Sequence, residues 1–481
     1  AGGSDTLTLG AFVNTVTVSN TETVTGAASA DTVVLAAATT GMVVDLAAGA
    51  DALTLAAAGG TVTTSGVETV TGSATVDLVT LAAQATGATV DLAGGADALV
   101  LGSWVNTVTA IGIETVTGGA SADAVTFGAA VTGAAVDLAA GADRLTLAAA
   151  GATVTASNVE TVTGAGGVDV VTLATQAVTT TVDLGTGQDR LTLGAFVNLV
   201  TVAGIESIVG AASSDTVVFS GQATGSTIDL AGGADKVMLA SQANTVTLAN
   251  VETIVGGTST DAVTLSAQAT GSTVDLGAGD DTLTLGAFVN TVTVTGAETV
   301  TGAASADTVV LSQQTTGAVI DLAGGADKIT LANFVNTVTL AGIESIVGGA
   351  STDVVTLTAA TTGAAIDLRS GYDRLTLAGG TVTLRNVETV VGATAGDVVT
   401  LATQALGTSV DLDAGADTLV LGDFANTLVA SNVETVTGGT STDTVTLGSQ
   451  VTAGAIDLGD GTAKLVLGAF VNTLTVSDIE T

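Results

Sequence analysis

Apolar and polar residues alternate in short runs along the whole chain. In segment 281–285, Asp-Thr-Leu-Thr-Leu, the leucines share one parity and the threonines the other. A period of two with β-branched residues predicts a β-strand with one buried face. Segments 290–294, Asn-Thr-Val-Thr-Val, and 274–276, Val-Asp-Leu, carry the same pattern. Turns separate the runs, and no apolar run reaches the length of a transmembrane helix.

The runs belong to an internal repeat of 46 residues, which contains about five short strands. An Asp-Leu pair marks each repeat, and its spacing changes only once, to 44 residues between Asp367 and Asp411. A Glu-Thr or Glu-Ser pair keeps the same spacing and contracts at the same place, between Glu344 and Glu388. The missing residues therefore fall in a loop between 373 and 388, where a deletion leaves the strands in phase.

This organisation predicts an all-β fold, a parallel β-solenoid of the β-roll or β-helix type. The strand-opening aspartates Asp281, Asp307 and Asp327 divide the repeat into a long segment, 281–306, and a short segment, 307–326, so we expect two coils per 46-residue repeat. The composition is uniform and the chain has no proline. We therefore expect residues 1–481 to form a single continuous solenoid of about ten and a half repeats, as part of a longer chain or filament.

The charge balance excludes several classes of partner. The net charge is −38, with only eight Lys and Arg residues, which disfavours nucleic acid and anionic membrane surfaces and favours cations. The chain has no Cys and no His, so disulfides, thiolate metal sites and the usual general base are missing. We expect no nucleic-acid partner and no membrane insertion.

Stacking the coils at about 4.8 Å turns each repeat position into a row of side chains. The Asp-Leu aspartates lie between two inward apolar residues, so we expect them and the Glu row to form an outward, solvated face. The asparagines of the long loop are expected to form a stacked amide ladder at a corner. The aromatic residues two positions before them are expected to plug a wide corner, with an outward row that binds sugars or partners as the alternative. The Asp-Leu aspartates are Asp45, Asp91, Asp137, Asp183, Asp229, Asp275, Asp321, Asp367, Asp411 and Asp457; the asparagines are Asn14, Asn106, Asn198, Asn244, Asn290, Asn336, Asn426 and Asn472; the aromatics are Phe12, Trp104, Phe196, Phe288, Phe334, Phe424 and Phe470.

The strand-opening aspartates are the candidate chemical groups. Each shares parity with the apolar residues of its strand, so its carboxylate is expected to tilt towards the inside of the turn. Unit charges ~4.8 Å apart repel by ~0.9 kcal/mol in water and ~3.5 kcal/mol at an effective dielectric near 20, so such rows need compensation. Backbone N–H groups of the glycine turns are one source and Ca²⁺ is another. The candidate metal ligands are Asp5, Asp31, Asp51, Asp77, Asp97, Asp123, Asp143, Asp169, Asp189, Asp215, Asp235, Asp261, Asp281, Asp307, Asp327, Asp353, Asp373, Asp397, Asp417 and Asp443.

The turn that delivers one of these aspartates resembles a known calcium-binding repeat. Gly277-Ala-Gly279-Asp-Asp281-Thr-Leu283 is similar to the latter part of the RTX nonapeptide, G-G-x-G-x-D-x-L-x. The resemblance implies a parallel β-roll in which turn carbonyls and aspartates of adjacent coils bind Ca²⁺. It also implies type I secretion to the exterior of a Gram-negative bacterium. The chain departs from the pattern in lacking most of the first paired glycines and in having Ala463 at one aspartate position. The Thr- and Ala-rich composition also resembles bacterial surface-layer and giant adhesin repeats.

These observations favour a structural role over catalysis. We expect a calcium-stabilised extracellular filament, surface layer or adhesin stalk, because uniform repetition offers no singular cluster of the kind an active site needs. Both ends fall inside the repeat pattern, so we expect end-to-end self-association. The alternative is a ligand-binding solenoid, with a carbohydrate-binding surface or an ice-binding array of Thr-x-Thr pairs such as Thr291/Thr293.

Overall fold

The computed structural model describes residues 3–480, and every regular element in that range is a β-strand. Within each of the two compact units described below, the strands pair in parallel, each with the strand two places further along the chain. Strand Thr6–Thr8 pairs with Thr23–Thr25, and strand Thr15–Val18 pairs with Thr32–Leu35. The predicted all-β parallel solenoid is therefore confirmed. The chain divides into two compact units, Ala1–Ser241 and Gln242–Thr481.

The first unit contains twenty-six strands. They are β1 (Thr6–Thr8), β2 (Thr15–Val18), β3 (Thr23–Thr25), β4 (Thr32–Leu35), β5 (Thr39–Asp45), β6 (Ala52–Thr54), β7 (Gly60–Ser65), β8 (Thr69–Ser73), β9 (Asp77–Leu81), β10 (Thr86–Ala93), β11 (Ala98–Val100), β12 (Thr107–Ile111), β13 (Thr115–Thr117), β14 (Ala124–Phe127), β15 (Val131–Asp137), β16 (Arg144–Thr146), β17 (Ala152–Ser157), β18 (Thr161–Ala165), β19 (Val170–Leu173), β20 (Val178–Gly185), β21 (Arg190–Thr192), β22 (Leu199–Ala203), β23 (Ser207–Val209), β24 (Thr216–Phe219), β25 (Thr224–Asp229) and β26 (Lys236–Met238).

The second unit contains the other twenty-six. They are β27 (Thr245–Ala249), β28 (Thr253–Val255), β29 (Ala262–Leu265), β30 (Thr270–Asp275), β31 (Thr282–Thr284), β32 (Thr291–Thr295), β33 (Thr299–Thr301), β34 (Thr308–Leu311), β35 (Thr316–Asp321), β36 (Lys328–Thr330), β37 (Asn336–Ala341), β38 (Ser345–Val347), β39 (Asp353–Leu357), β40 (Thr361–Asp367), β41 (Arg374–Thr376), β42 (Gly380–Arg385), β43 (Thr389–Val391), β44 (Asp397–Leu401), β45 (Leu406–Asp411), β46 (Thr418–Leu421), β47 (Thr427–Ser431), β48 (Thr435–Thr437), β49 (Thr444–Leu447), β50 (Thr452–Asp457), β51 (Lys464–Val466) and β52 (Thr473–Ser477).

Within each unit the odd-numbered strands form one sheet and the even-numbered strands the other, so one coil contains two strands. The chain crosses between the sheets at two edges. We call the segments that precede even-numbered strands the even edge, and those that precede odd-numbered strands the odd edge. The bulky residues point between the sheets: Leu283 pairs with Val300, which pairs with Ile320, and all three are fully buried. This row is the core that the alternating pattern predicts.

The repeat contains five strands, as predicted, but it makes two and a half coils rather than the expected two. Thr282 pairs with Thr299 on the next coil, and Thr299 pairs with Val319 on the coil after that, so the long segment 281–306 is more than one coil. An odd number of strands leaves each repeat half a turn out of phase with the next. Within a unit, equivalent residues therefore return to the same edge only after two repeats, which is 92 residues, or 90 where the shortened repeat is included.

No helix in the described range is long and apolar enough to span a membrane.

Candidate functional site

The side chains with potential chemistry meet at the edges, where strands begin. In the second unit, Asn290, Asp307, Asp327 and Glu344 take the corresponding position on four successive coils. The backbone N–H of Asn290 donates to Asp307 Oδ1 at 2.9 Å, and that of Asp307 donates to Asp327 Oδ1 at 2.6 Å. The N–H of Asp327 then donates to Glu344 Oε2 at 2.8 Å. Each carboxylate thus accepts the N–H that opens a strand on the preceding coil, and we call this series a capping ladder.

The capping ladder recurs because its members are spaced by 17, 20 and 17 residues, which are the coil steps seen in the strand pairing. A buried backbone N–H needs an acceptor, and at the start of the strands opened by the asparagine and the two aspartates the sequence supplies one from the next coil. Gly60 and Ala152 replace the asparagine in two ladders of the first unit, but their N–H groups still donate to an aspartate. Further complete ladders are Asn14–Asp31–Asp51–Glu68, Asn106–Asp123–Asp143–Glu160, Asn244–Asp261–Asp281–Glu298 and Asn336–Asp353–Asp373–Glu388.

The strand-opening aspartates point inwards, as the parity argument predicts. All twenty lie in the described range, and all are buried except Asp5, which is exposed. They occupy two places in the ladder. The first aspartates follow the asparagine position: Asp31, Asp77, Asp123, Asp169, Asp215, Asp261, Asp307, Asp353, Asp397 and Asp443. The second aspartates precede the glutamate: Asp5, Asp51, Asp97, Asp143, Asp189, Asp235, Asp281, Asp327, Asp373 and Asp417.

The other carboxylate oxygen of many strand-opening aspartates is buried without a hydrogen-bond partner. Several first aspartates accept a second backbone N–H at Oδ2, as Asp123 does from Gly119 at 3.2 Å and Asp353 does from Gly349 at 3.0 Å. The Oδ2 of a second aspartate is buried without a hydrogen-bond partner in Asp143 and Asp281. The same holds for the second aspartates Asp51, Asp97, Asp189, Asp327, Asp373 and Asp417, and for the first aspartates Asp31, Asp169, Asp215, Asp307 and Asp443. Among the described residues, buried carboxylate oxygens without a hydrogen bond therefore occur at both places in the ladder.

Burial perturbs the acidity of aspartates at both places in the ladder, since it raises the pKa of the first aspartates Asp169, Asp215 and Asp397 as well as that of several second aspartates. Burial raises the pKa of Asp143, Asp281, Asp327 and Asp373 from 3.8 to about 6. The hydrogen bond from the preceding aspartate's N–H acts in the opposite direction, and the neighbouring Asp and Glu carboxylates add a smaller upward shift. Desolvation of the charged form therefore outweighs the stabilising N–H bond at this position.

Close packing against these carboxylates accounts for the glycines of the turn motif. A Cβ at Gly279 would lie 2.8 Å from Asp281 Oδ1 and 2.8 Å from the carbonyl carbon of Ser259, and Gly279 has a φ of +156°. A Cβ at Gly118 would lie 2.6 Å from the carbonyl oxygen of Leu138 and 2.9 Å from Asp123 Oδ2. Glycine is needed here for close approach of the backbone to a capping carboxylate.

The capping hydrogen bonds bear on whether these residues fit a calcium ion. Calcium takes six to eight oxygen ligands at about 2.3 to 2.6 Å. In each ladder an aspartate oxygen accepts a backbone N–H, as Asp307 Oδ1 does from Asn290. Across residues 3–480, no three or more acidic side chains are grouped so as to hold a metal. Of the two sources of compensation that the sequence left open, the described residues show hydrogen bonds from backbone donors. Calcium binding by this chain stays a prediction.

The asparagines and glutamates act within the ladder rather than as separate rows. Asn290 Nδ2 donates to Phe288 O at 2.7 Å and to Asp307 Oδ1 at 2.9 Å, while its Oδ1 accepts the N–H of Ala269 at 3.0 Å. The asparagines therefore close their own loop and cap the coil before it, and the predicted stack of amides is wrong. Glu160 is half-buried with its Oε2 bonded to the N–H of Asp143, so the Glu row is not simply a solvated face.

The aromatic residues lie outside the corners, so the predicted plug is wrong. Trp104 is 55% exposed and Phe196 is 44% exposed, and each is followed by an exposed valine. A Cβ built at Gly102 would be 3.2 Å from the Trp104 ring, which shows that the ring lies over the glycine. The buried asparagine occupies the inside of the loop in its place.

The Asp-Leu aspartates lie on the outside, as predicted. Asp321 is exposed, and its Oδ1 accepts the N–H of Ala323, which adopts a left-handed φ of 66°. Its neighbours on adjacent coils are Thr301 and Ala341, so these aspartates are separated along the sheet and do not form the continuous row expected. This spacing follows from the half-turn offset between repeats.

No protein-family model and no curated protein matches this chain.

Proposed function

We propose that this chain is a structural segment of an extracellular repeat protein that forms a filament, a surface layer or an adhesin stalk. The supporting observation is the use of the buried carboxylates. In the ladder of Asn290, the buried aspartates accept strand-opening N–H groups, and the same arrangement recurs in both units. Acidic side chains bound in this way hold coils together and are poorly placed to transfer protons to a substrate. Catalysis is accordingly not expected.

The resemblance to RTX, surface-layer and adhesin repeats supports a location outside the cell, at the surface of a Gram-negative bacterium. Calcium stabilisation belongs to the same expectation. The capping ladder gives the strand-opening aspartates backbone donors, so we do not assign calcium to them, and a melting experiment decides whether the ion stabilises the chain elsewhere.

End-to-end self-association is the behaviour that a filament or stalk requires. The purified chain should form elongated particles that join at their ends in negative-stain electron microscopy, with sedimentation coefficients that rise with concentration. A heterologous contact of this kind propagates because it does not close. Compact particles that stay monomeric at high concentration, with and without millimolar Ca²⁺, would contradict the structural role.

A ligand-binding role based on threonine remains the second candidate because outward Thr pairs do stack. Thr282 and Thr284 on β31 pair with Thr299 and Thr301 on β33. On the next coil the positions are taken by Val319 and Asp321, so this array is interrupted. An ice-recrystallisation assay at micromolar protein tests it, and unchanged crystal growth would remove ice binding.

A further inference from the structure

The even edge of the first unit carries a row of exposed aromatic residues. Phe12, Trp104 and Phe196 precede β2, β12 and β22, and unbroken pairing through the even-numbered strands places their loops on one edge. They are 92 residues apart, which corresponds to five coils, or about 24 Å at ~4.8 Å per coil. The corresponding loops of the odd edge, 55–59 and 147–151, are Ala- and Gly-rich and contain no aromatic residue.

Each aromatic residue stands on a loop whose conformation is fixed by side-chain amides. Asn106 Nδ2 donates to the carbonyl of Trp104 at 2.7 Å, and Gln84 Nε2 donates to the carbonyl of Val105 at 3.0 Å. The Phe196 loop repeats this, with a bond of 2.7 Å from Asn198 and one of 2.8 Å from Gln176 to Val197. A loop whose backbone is held in place before binding loses little conformational entropy when its aromatic residue contacts a ligand.

Polar groups border the rings. One coil before Phe196, a cleft of about 160 Å³ is lined by Asn158, Glu160, Thr175 and Gln176. These side chains already bond within the protein, Gln176 to the carbonyl of Val197 and Glu160 to the N–H of Asp143, and their remaining hydrogen-bonding positions line the cleft. A ring face with hydrogen-bonding groups at its side matches a sugar, which presents C–H groups on one face and hydroxyl groups around its rim.

The charge of the surroundings limits the ligand further. The aromatic loops 9–14, 101–106 and 193–198 contain no charged residue. β5 ends at Asp45 and β15 ends at Asp137, and both strands lead into the even edge. Asp45 lies two coils beyond Phe12, and Asp137 lies two coils beyond Trp104, which is about 10 Å at ~4.8 Å per coil. With a net charge of −38 on the whole chain, a polyanion would be repelled. A neutral ligand avoids this cost.

The size of each patch argues against a second protein as the occupant. A patch consists of one ring and one valine, such as Trp104 and Val105, and the next lies about 24 Å along the edge. A stable protein interface buries at least about 1,000 Å² over a continuous area. Separated flat patches in a regular row suit a polymer that repeats its own contacts and gains affinity by multivalency.

We propose that the even edge of the first unit binds a neutral polysaccharide, with Phe12, Trp104 and Phe196 as three stacking platforms for its pyranose rings. The binding adds to the structural role and does not depend on it. It would let a stalk or surface layer hold an uncharged glycan along its length.

Affinity electrophoresis in native gels tests this with the full chain. Gels containing hydroxyethylcellulose, dextran or soluble starch are compared with gels containing polygalacturonate. At least one neutral polymer should retard the protein, and polygalacturonate should not. Because several platforms act together, W104A should weaken retardation about tenfold and the triple variant F12A/W104A/F196A should abolish it.

The matched control removes exposed apolar side chains from the opposite edge of the same unit. Val76 and Val168 precede β9 and β19, are 63% and 58% exposed, and are also 92 residues apart. V76A/V168A should bind like wild type. Circular dichroism and melting of every variant should match wild type, because the altered side chains are exposed.

Three results would overturn the proposal. One is the absence of retardation by all three neutral polymers. Another is equal binding by wild type and the triple variant, or an equal loss in V76A/V168A. The third is a change in sedimentation of the triple variant without any glycan present, which would mean that the aromatic edge contacts another copy of this chain.

Discussion

Replacing Asp281 separates the two roles that the structure gives this side chain, a hydrogen-bond acceptor and a buried charge. The N–H of Asp261 donates to Asp281 Oδ1 at 2.7 Å. In D281N the amide oxygen can accept the same bond, whereas in D281A the acceptor is gone. Burial raises the pKa of Asp281 to about 6, so at pH 8 the wild-type side chain is charged and the asparagine is not.

The magnitudes predict an order of stability at pH 8. A pKa raised from 3.8 to about 6 sets an upper limit of about 3 kcal/mol on the cost of ionising Asp281, and solvent screening reduces this to about 1 to 2 kcal/mol. Removing the acceptor leaves the buried N–H of Asp261 unpaired, at a cost of about 1 to 3 kcal/mol. At pH 8 the free energy of unfolding of D281N should therefore equal or exceed that of wild type. D281A also loses the buried charge, but the unpaired N–H of Asp261 should cancel this gain. Below about pH 4 wild type and D281N should converge, because a protonated Asp281 and an asparagine both place a neutral donor at the position of Oδ2.

Hydrogen–deuterium exchange read on peptides that contain the Asp261 amide is the assay, because stability in a repeat protein is largely local. Exchange of that amide should be slow in wild type and D281N and fast in D281A. Equal protection in all three proteins would show that the carboxylate does not cap the strand, and would refute the reasoning.

Three further predictions rest on the same geometry. Thermal melting should shift upwards from pH 7 to pH 5: the folded-state pKa values of Asp143 and Asp327 are raised to about 6 from 3.8, so their favourable contribution is complete below about pH 4 and is lost as the pH rises through 6. A melting temperature that falls over this range would contradict the direction of these shifts. Melting in excess chelator should match melting in millimolar Ca²⁺ if backbone donors satisfy the aspartates, and a fall of several degrees in chelator would restore calcium to the account. G118A should lower the melting temperature because its Cβ would lie 2.6 Å from the carbonyl oxygen of Leu138, whereas G94A, with nothing within 4 Å, should not; equal melting of the two would count against close packing at the carboxylate.

The sequence predicts the strands and their buried faces because both depend on local alternation. Leu283 and its partner Val300 are buried as the pattern requires. The number of coils per repeat depends on which strands pair, and the repeat period by itself does not contain that information. Asp321 therefore lies between Thr301 and Ala341 rather than between other Asp-Leu aspartates.

The contents of the corners were harder to predict than the strands. Parity correctly places Asp307 and Asp327 inside their turns, but it does not reveal that each accepts an N–H from the previous coil. The regular spacing between the Asn, the two Asp and the Glu of a ladder is the sequence signal for these capping hydrogen bonds. It becomes informative only once the coil length is known. The aromatic ring is excluded from the corner because Asn106 fills the loop and bonds Gly102, Trp104 and Asp123.

A high-resolution crystal structure of the chain grown in millimolar Ca²⁺ tests the capping ladder most directly. The account predicts that Asp281 Oδ1 stays within hydrogen-bonding distance of the Asp261 nitrogen, at about the 2.7 Å found here, with no ion between the two carboxylates. An ion about 2.3 to 2.6 Å from oxygens of both Asp261 and Asp281, with the N–H bond broken, would contradict it.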